Sequence, residues 1–296
     1  MSKKNYLAQF AKSFNWACFF LPKNVYHDCS KLYAFCRVLD DLVDKKNDVE
    51  LKIERFNEIK NIFEKTYEID NKYSKVLDQN EYGMIINDMI ILADKNNIKR
   101  IILDDLIEGV GSDLKQKVYL RSIKDLLVYS YKVAGTVGLM MAKILKVKDT
   151  RSLKGAIDLG IAMQLTNIAR DVIEDKKMNR QYIKPDFENI EATLKLADMF
   201  YESSFTSIKK IPFKYRFAII VARRVYRQIG RKIIKKRSME NYEKSGKIYV
   251  NNFGKIYQTI LSLFDLILLF LKDIESHQRI KEYEIIRQDI DLDERI

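Results

Sequence analysis

The chain has 296 residues, 47% of them hydrophobic, and a net charge of +12, enough apolar residues for a sizeable core in one large domain or two small ones. Only 10 Gly and 3 Pro occur, too few for the turns of a β-sandwich or barrel, so long helices are expected. Three Cys (Cys18, Cys29, Cys36) and two His offer neither metal-ligand spacing nor a disulfide framework, which points to a reducing cytoplasm.

In chain order, apolar residues recur at helical spacing over roughly 5–19, 24–45, 49–66, 82–95, 98–109, 122–145, 150–177, 188–209, 213–237 and 253–275, and each stretch is predicted to be a helix. Breaks fall at LPKN (21–24), DKKND (44–48), KVKDT (146–150), NRQYIKPDF (179–187) and IPFK (211–214), where Pro212 can open a helix. No linker rich in Gly, Ser or Pro divides these elements. The expected organisation is a single all-α domain over 1–296, with a charged, partly frayed tail from about 273. The basic N-terminal stretch MSKKNYLAQFAKSF lacks a secretory apolar core and a cleavage site. TILSLFDLILLFL (259–271) is short for a membrane span, is interrupted by Asp265, and reads as a buried helix. Residues 209–237 carry twelve Lys or Arg and no acid. A solvated face, an anionic membrane surface, a polyanionic substrate and nucleic acid all fit such a run, but no nucleic-acid motif accompanies it.

Two helical stretches carry carboxylates where a core face is expected. In YAFCRVLDDLVD (33–44), Tyr33, Arg37, Asp40 and Asp44 are spaced 4, 3 and 4 and form one stripe, with Asp41 pointing elsewhere. In QLTNIARDVIED (164–175), Gln164, Asn167, Asp171 and Asp175 do the same beside an apolar stripe of Ile161, Leu165, Ile168 and Val172. Polar and apolar faces usually oppose each other; here they adjoin, so the carboxylates need a cation, a metal or many donors. The plainer alternative is a pair of solvated acidic faces answered by Lys. Two matched clusters, each on an apolar helix with polar partners, weigh against it. Carboxylates four residues apart share a face and can share a hard divalent ion, Mg²⁺ or Mn²⁺ in its place, with substrate phosphates supplying further oxygens. Arg37, Arg170 and Arg180 can neutralise phosphate bidentately. No Cys, Ser or His nucleophile stands at motif spacing, since His27 and His277 lack a neighbouring acid. No Gly-rich dinucleotide fingerprint appears, so no nicotinamide cofactor is expected.

These motifs, with KSFNWACFFLP (12–22), LYAFCRVLDDLVD (32–44), YSYKVAGTVGLMMAKIL (129–145), AIDLGIAMQLTNIARDVIEDKKMNRQYI (156–183) and VARRVYRQIGRKI (221–233), resemble in order those of the squalene/phytoene synthases, most closely the bacterial phytoene synthases. The resemblance implies an isoprenoid synthase-type helical bundle around a central cavity, with the aspartates at its mouth. It implies head-to-head condensation of two geranylgeranyl diphosphates through a cyclopropyl diphosphate to phytoene. Two farnesyl diphosphates, giving a squalene, hydroxysqualene or dehydrosqualene product, are the alternative. Asp40, Asp44, Asp171 and Asp175 match metal-binding aspartates, with Asn167 and Gln164 beside them. Arg37, Arg170, Arg180 and Tyr182 match diphosphate contacts; Tyr33, Tyr129, Val133 and Gly138 match cavity positions, Tyr129 with a catalytic role. Ser13 and Phe14 match a segment that closes over the site. Faces of Phe14, Tyr33 and Tyr129 would stabilise cations. Gly138 is expected to leave room for ligand. Two departures stand out: Asn179 replaces a Gly, and Lys184 intervenes before Pro185. Around 240–256 the family's basic motif does not align, and Tyr242 is the one candidate there.

Two further expectations follow. Because substrate and product would be lipids, the basic segment 209–237 is expected to hold the protein peripherally on an anionic membrane surface. Cys18 on the first helix, and Ser30 and Ala34 on the next, are small residues expected to leave room for a C20 tail.

Overall fold

The computed structural model describes residues 12–44, 49–67, 81–271 and 281–296. Its helices are α1 (Lys12–Cys18), α2 (Lys23–Asp44), α3 (Val49–Tyr67), α4 (Glu81–Lys95), α5 (Arg100–Gly111), α6 (Ile123–Ser130), α7 (Thr136–Ile144), α8 (Thr150–Lys177), α9 (Phe187–Ser207), α10 (Phe213–Ile234), α11 (Met239–Lys244), α12 (Asn252–Leu271), α13 (Lys281–Arg287) and α14 (Leu292–Arg295). The all-α expectation holds. Residues 5–11, 45 and 272–275 of the predicted helices lie outside the described residues. Two short strands, β1 (Val118–Tyr119) and β2 (Arg180–Gln181), pair in parallel, Val118 opposite Arg180.

Helix α8 organises the rest. Its N-terminus is capped by Asp149, whose carboxylate accepts from the Ser152 amide at 3.0 Å. It packs against α9, α7 and α10 and is buried on more than one side. Ile157, Ile161 and Leu165 enter the main core, while Ala169 and Val172 join Val221, Val225 and Ile229 of α10 in a second cluster.

The stretch predicted as one helix over 122–145 is interrupted. A π turn, Tyr131–Gly135, joins α6 to α7, the insertion that most often bends a helix at a working site. Two glycines make the contact with α8 possible. A Cβ on Gly138 would lie 2.1 Å from the Ala156 carbonyl oxygen, and one on Gly160 would lie 2.2 Å from that of Ala134. Gly138 does border the cavity, but what its missing side chain admits is the backbone of α8 rather than ligand.

The frayed-tail expectation is corrected for 281–296; residues 273–280 lie outside the described set. Tyr283, Ile286, Ile290 and Leu292 are fully or almost fully buried. Arg295 donates to Asp105 at 3.0 Å, and the Tyr131 hydroxyl donates to the same oxygen at 2.9 Å. The tail therefore packs against α6 and shares Asp105 with the π turn.

The buried reading of 259–271 is also corrected. On α12 the inward stripe is Lys255, Gln258, Ser262, Asp265 and Leu269, whereas Phe253, Tyr257, Ile260, Phe264, Ile267 and Leu271 are each more than half exposed. Asp265 accepts two hydrogen bonds from Arg224 of α10, both 2.6 Å. Arg227 is likewise held by Asp198 at 2.7 and 2.8 Å, and Arg223 by the Tyr201 carbonyl at 3.0 Å. Part of the basic run is thus engaged inside the molecule.

Candidate active site

One cavity of about 250 Å³ opens between α1, α2, α7, α8, α9 and α10. On α8 its lining runs from Ser152 through Gly155, Leu159 and Met163 to Gln164 and Asn167; on α2 it runs from Cys29 through Leu32 and Tyr33 to Cys36. Helical spacing carries each stripe onward, to Asp171 and Asp175 on α8 and to Asp40 and Asp44 on α2. The far end is floored by small side chains, Ser152, Gly155, Ala156, Ser204 and Ser207. Phe14, Tyr33, Val133, Gly138, Gln164 and Asn167 line the cavity. Ser13, half-buried on α1, and Tyr129, turned instead toward Asp113 and Tyr182, do not. Cys18, Ser30 and Ala34 do not either: Cys29 stands on the cavity wall in their place, its thiol 3.3 Å from the Met141 sulfur.

At the carboxylate end, the β1–β2 pairing brings Arg180 and Tyr182 to α2 and to the 3₁₀ turn Ser112–Leu114. Arg180 is buried and donates to Asp44 at 2.7 Å and to the Val43 carbonyl at 3.3 Å. The Tyr129 and Tyr182 rings stack with centroids 4.8 Å apart, and their hydroxyls donate to one oxygen of Asp113, at 2.7 and 2.8 Å. Asp113 is the residue that the sequence did not reveal. It sits in a turn without periodicity, and both partners are distant in the chain.

The carboxylates crowd one another. Asp40 keeps solvent contact, but protein walls it in; that desolvation, then the charge of Asp44, push it up to about 7 against Arg37. Asp175, half-buried, is pushed up to about 7 by desolvation and by Asp171, with Arg180 opposing. Burial raises Asp113 too, although Tyr129, Arg180 and Tyr182 pull the other way. Asp171 differs. Burial pushes it up, but Arg170 and Lys247 outweigh that and hold it below its ordinary range. Arg170 grips Asp171 through two nitrogens, and Lys247 lies 3.2 Å away. Arg37 pairs with Asp41 at 2.5 Å. Two of the three arginines assigned to phosphate are therefore held by neighbouring carboxylates, as is the third by Asp44. Tyr242 is buried, and its hydroxyl donates to the Arg170 carbonyl at 2.5 Å, bracing α8 beside Asp171.

The donor set fits a hard divalent cation. Its members are oxygens, they repel one another, and buried Oδ1 atoms of Asp113 and Asn167 have no hydrogen-bond donor. Among the described residues no three Asp, Glu, His or Cys side chains converge tightly enough to cage an ion alone. The arrangement suits an ion that shares its shell with an anionic ligand.

A helical cavity with acidic groups at one end is the architecture of the isoprenoid synthases. The dehydrosqualene synthase structure solved with a ligand superimposes with a TM-score of 0.68 at 26% identity, over 88% of this chain and 94% of that one. A squalene synthase from Alicyclobacillus acidocaldarius shares the fold with a TM-score of 0.64 at 15% identity, over 80% of this chain and 92% of its own. The squalene/phytoene synthase pattern matches residues 7–186, more than half of the chain, and the chain belongs to that family. It stands close to the bacterial phytoene synthases. It is 29% identical to the 15-cis-phytoene synthase of Paracoccus sp. over 77% of this chain and 80% of that one. It is 39% identical to the phytoene synthase of Pseudescherichia vulneris, over 45% of this chain and half of that protein. The family consists of prenyltransferase-type enzymes that act on prenyl diphosphates.

Proposed function

We propose that the chain joins two geranylgeranyl diphosphates head to head, giving phytoene for carotenoid biosynthesis. The observation that carries this is the continuity of one stripe on each of α2 and α8, apolar or small within the cavity and acidic one turn beyond it. A substrate with an anionic head and a long apolar tail fits that gradient. The lining of α8 from Ser152 to Asn167 is about 22 Å long at 1.5 Å per residue, deep enough for a C20 tail. The phytoene synthase relatives support the same choice.

Mg²⁺ would be held by Asp40, Asp44, Asn167, Asp171 and Asp175, and when bound it supplies Lewis-acid stabilisation of the departing diphosphate. Diphosphate entry releases Asp171 from Arg170 and Lys247, leaving both cations to meet phosphate oxygens alongside Arg180. The carbon–oxygen bond of the first substrate breaks, and the double bond of the second attacks the allylic carbon. Loss of a proton leaves the cyclopropylcarbinyl diphosphate. A second ionisation, rearrangement and proton loss complete the product without a reductant. Aromatic faces of Phe14 and Tyr33 stabilise positive charge, and the apolar wall excludes the water that would quench it. Asp113 holds Tyr129 and Tyr182 in place where the two clusters meet.

The dehydrosqualene synthase likeness favours a second reading, condensation of two farnesyl diphosphates. Chromatography of products from C15 and C20 diphosphates, offered in parallel with Mg²⁺, separates the two. A C40 product is expected. Only C30 product establishes the second reading, and no condensation of either substrate refutes both.

A further inference from the structure

Helix α12 is inside out. Its polar stripe faces the protein: Asp265 is held by Arg224, Gln258 lies 3.5 Å from the same guanidinium, and Lys255 lies over the Trp16 ring, whose indole N–H donates to Thr259 at 3.0 Å. Its apolar stripe, Phe253 to Leu271, faces outward, with Phe253 82% and Leu271 76% exposed. A surface helix in water presents the opposite pattern, and an apolar face this long marks an interaction surface.

We infer that this face docks on an anionic lipid bilayer and that α12 lies in the plane of the interface. Three observations select lipid as the occupant. First, the charge around the face is basic. Lys209 reaches the Phe270 carbonyl at 3.5 Å, Arg216 lies 5.8 Å from the ring centroids of Phe213 and Phe270, and Lys232 reaches the Tyr249 carbonyl at 3.1 Å. The one acid of α12 is turned inward. Basic groups beside an apolar helical face match the charge of anionic headgroups over acyl chains. Second, α12 is long and apolar enough to cross a bilayer, yet its inward side is fastened to α1 through Trp16 and to α10 through Arg224, so the helix lies flat. Third, the cavity adjoins this face. Ile208 and Ile211 line the cavity next to Lys209 and Phe213, and Phe14 lines it two residues from Trp16. The last point rests on the proposed function, because it requires lipid substrates; the first two stand without it.

Flotation of the full chain with vesicles of phosphatidylcholine containing 30% phosphatidylglycerol tests the inference, with a Phe264→Asp/Leu268→Asp double variant beside the wild type. The wild type should float, and it should retain a measurable fraction at 0.5 M salt, because acyl contact is not screened as charge is. The variant should lose at least tenfold in vesicle binding while its melting temperature is unchanged and its turnover of detergent-dispersed substrate stays within twofold of wild type. Wild type that remains unbound overturns the inference, as does a variant that floats equally well. A stable dimer that the variant converts to monomer, without vesicle binding, assigns the face to a second copy and overturns it too. Turnover in detergent reports on the proposed reaction separately, so either reading can fail alone.

Discussion

At the scale of single residues, the site is a set of charges held in check by one another. Asp40 and Asp175 each titrate near 7 in the folded chain and near 4 when unfolded. Between those values the folded state holds protons that the unfolded state has released, so stability falls as pH rises through the window. Below about pH 4 both states are protonated and the effect vanishes. The melting temperature of metal-free protein should therefore drop between pH 5 and pH 8, and Mg²⁺ should restore it at pH 8 far more than at pH 5. Asp175→Asn should flatten the slope while abolishing most turnover; a melting temperature that climbs over that interval contradicts the assignment. A second residue explains a departure from the family pattern. Asn179 has φ 58°, the left-handed region that Asn tolerates better than other residues with a side chain. The turn survives because Asn replaces Gly there. Asn179→Gly should be neutral in urea denaturation, whereas Asn179→Ala should cost about 1 kcal/mol.

At the scale of elements, much was legible and some was not, for physical reasons. The ten predicted helices track periodicity closely where they are described, and both acidic stripes were visible because a helix turns residue spacing into direction. The grip of Arg170 on the adjacent Asp171 was invisible, since neighbours in a helix do not normally face each other. The stripe of Lys255, Gln258, Ser262 and Asp265 could be counted from the sequence, but which side met the protein depended on Arg224 in another helix. Gly138 was read for ligand room, whereas contact between backbones decides it, as it does Gly160. Gly160→Ala should push α8 from the π turn and destabilise by about 2–3 kcal/mol, measured by chemical denaturation. Wild-type stability in that variant would mean that the two backbones are not in such close contact.

At the scale of the whole molecule, the docked tail shows the limit of reading local pattern. Tyr283, Ile286 and Ile290 form a stripe too short to stand out among charges, and Asp105, Tyr131 and Arg295 meet only once the chain has folded. The floor of the cavity was missed in the same way, since Ser204 and Ser207 come from α9 and the remaining small residues from α8. Ser207→Phe should fill that floor and turn the preference from C20 to C15, read as the ratio of C40 to C30 product from mixed substrates. An unchanged ratio places the tails elsewhere.

Helix α8 carries the floor, from Ser152, and the acidic rim, at Asp171 and Asp175, on one rod with no loop between them. The interval between them is set by the pitch of the backbone. With the proposed reaction, the helix would serve as a ruler whose zero mark is the charged head of the substrate. Residues at the floor move the far mark by the width of a side chain, and only an added or removed turn, 5.4 Å, recalibrates the scale. Changes of product length can then arise one substitution at a time, leaving the chemistry at the zero mark untouched.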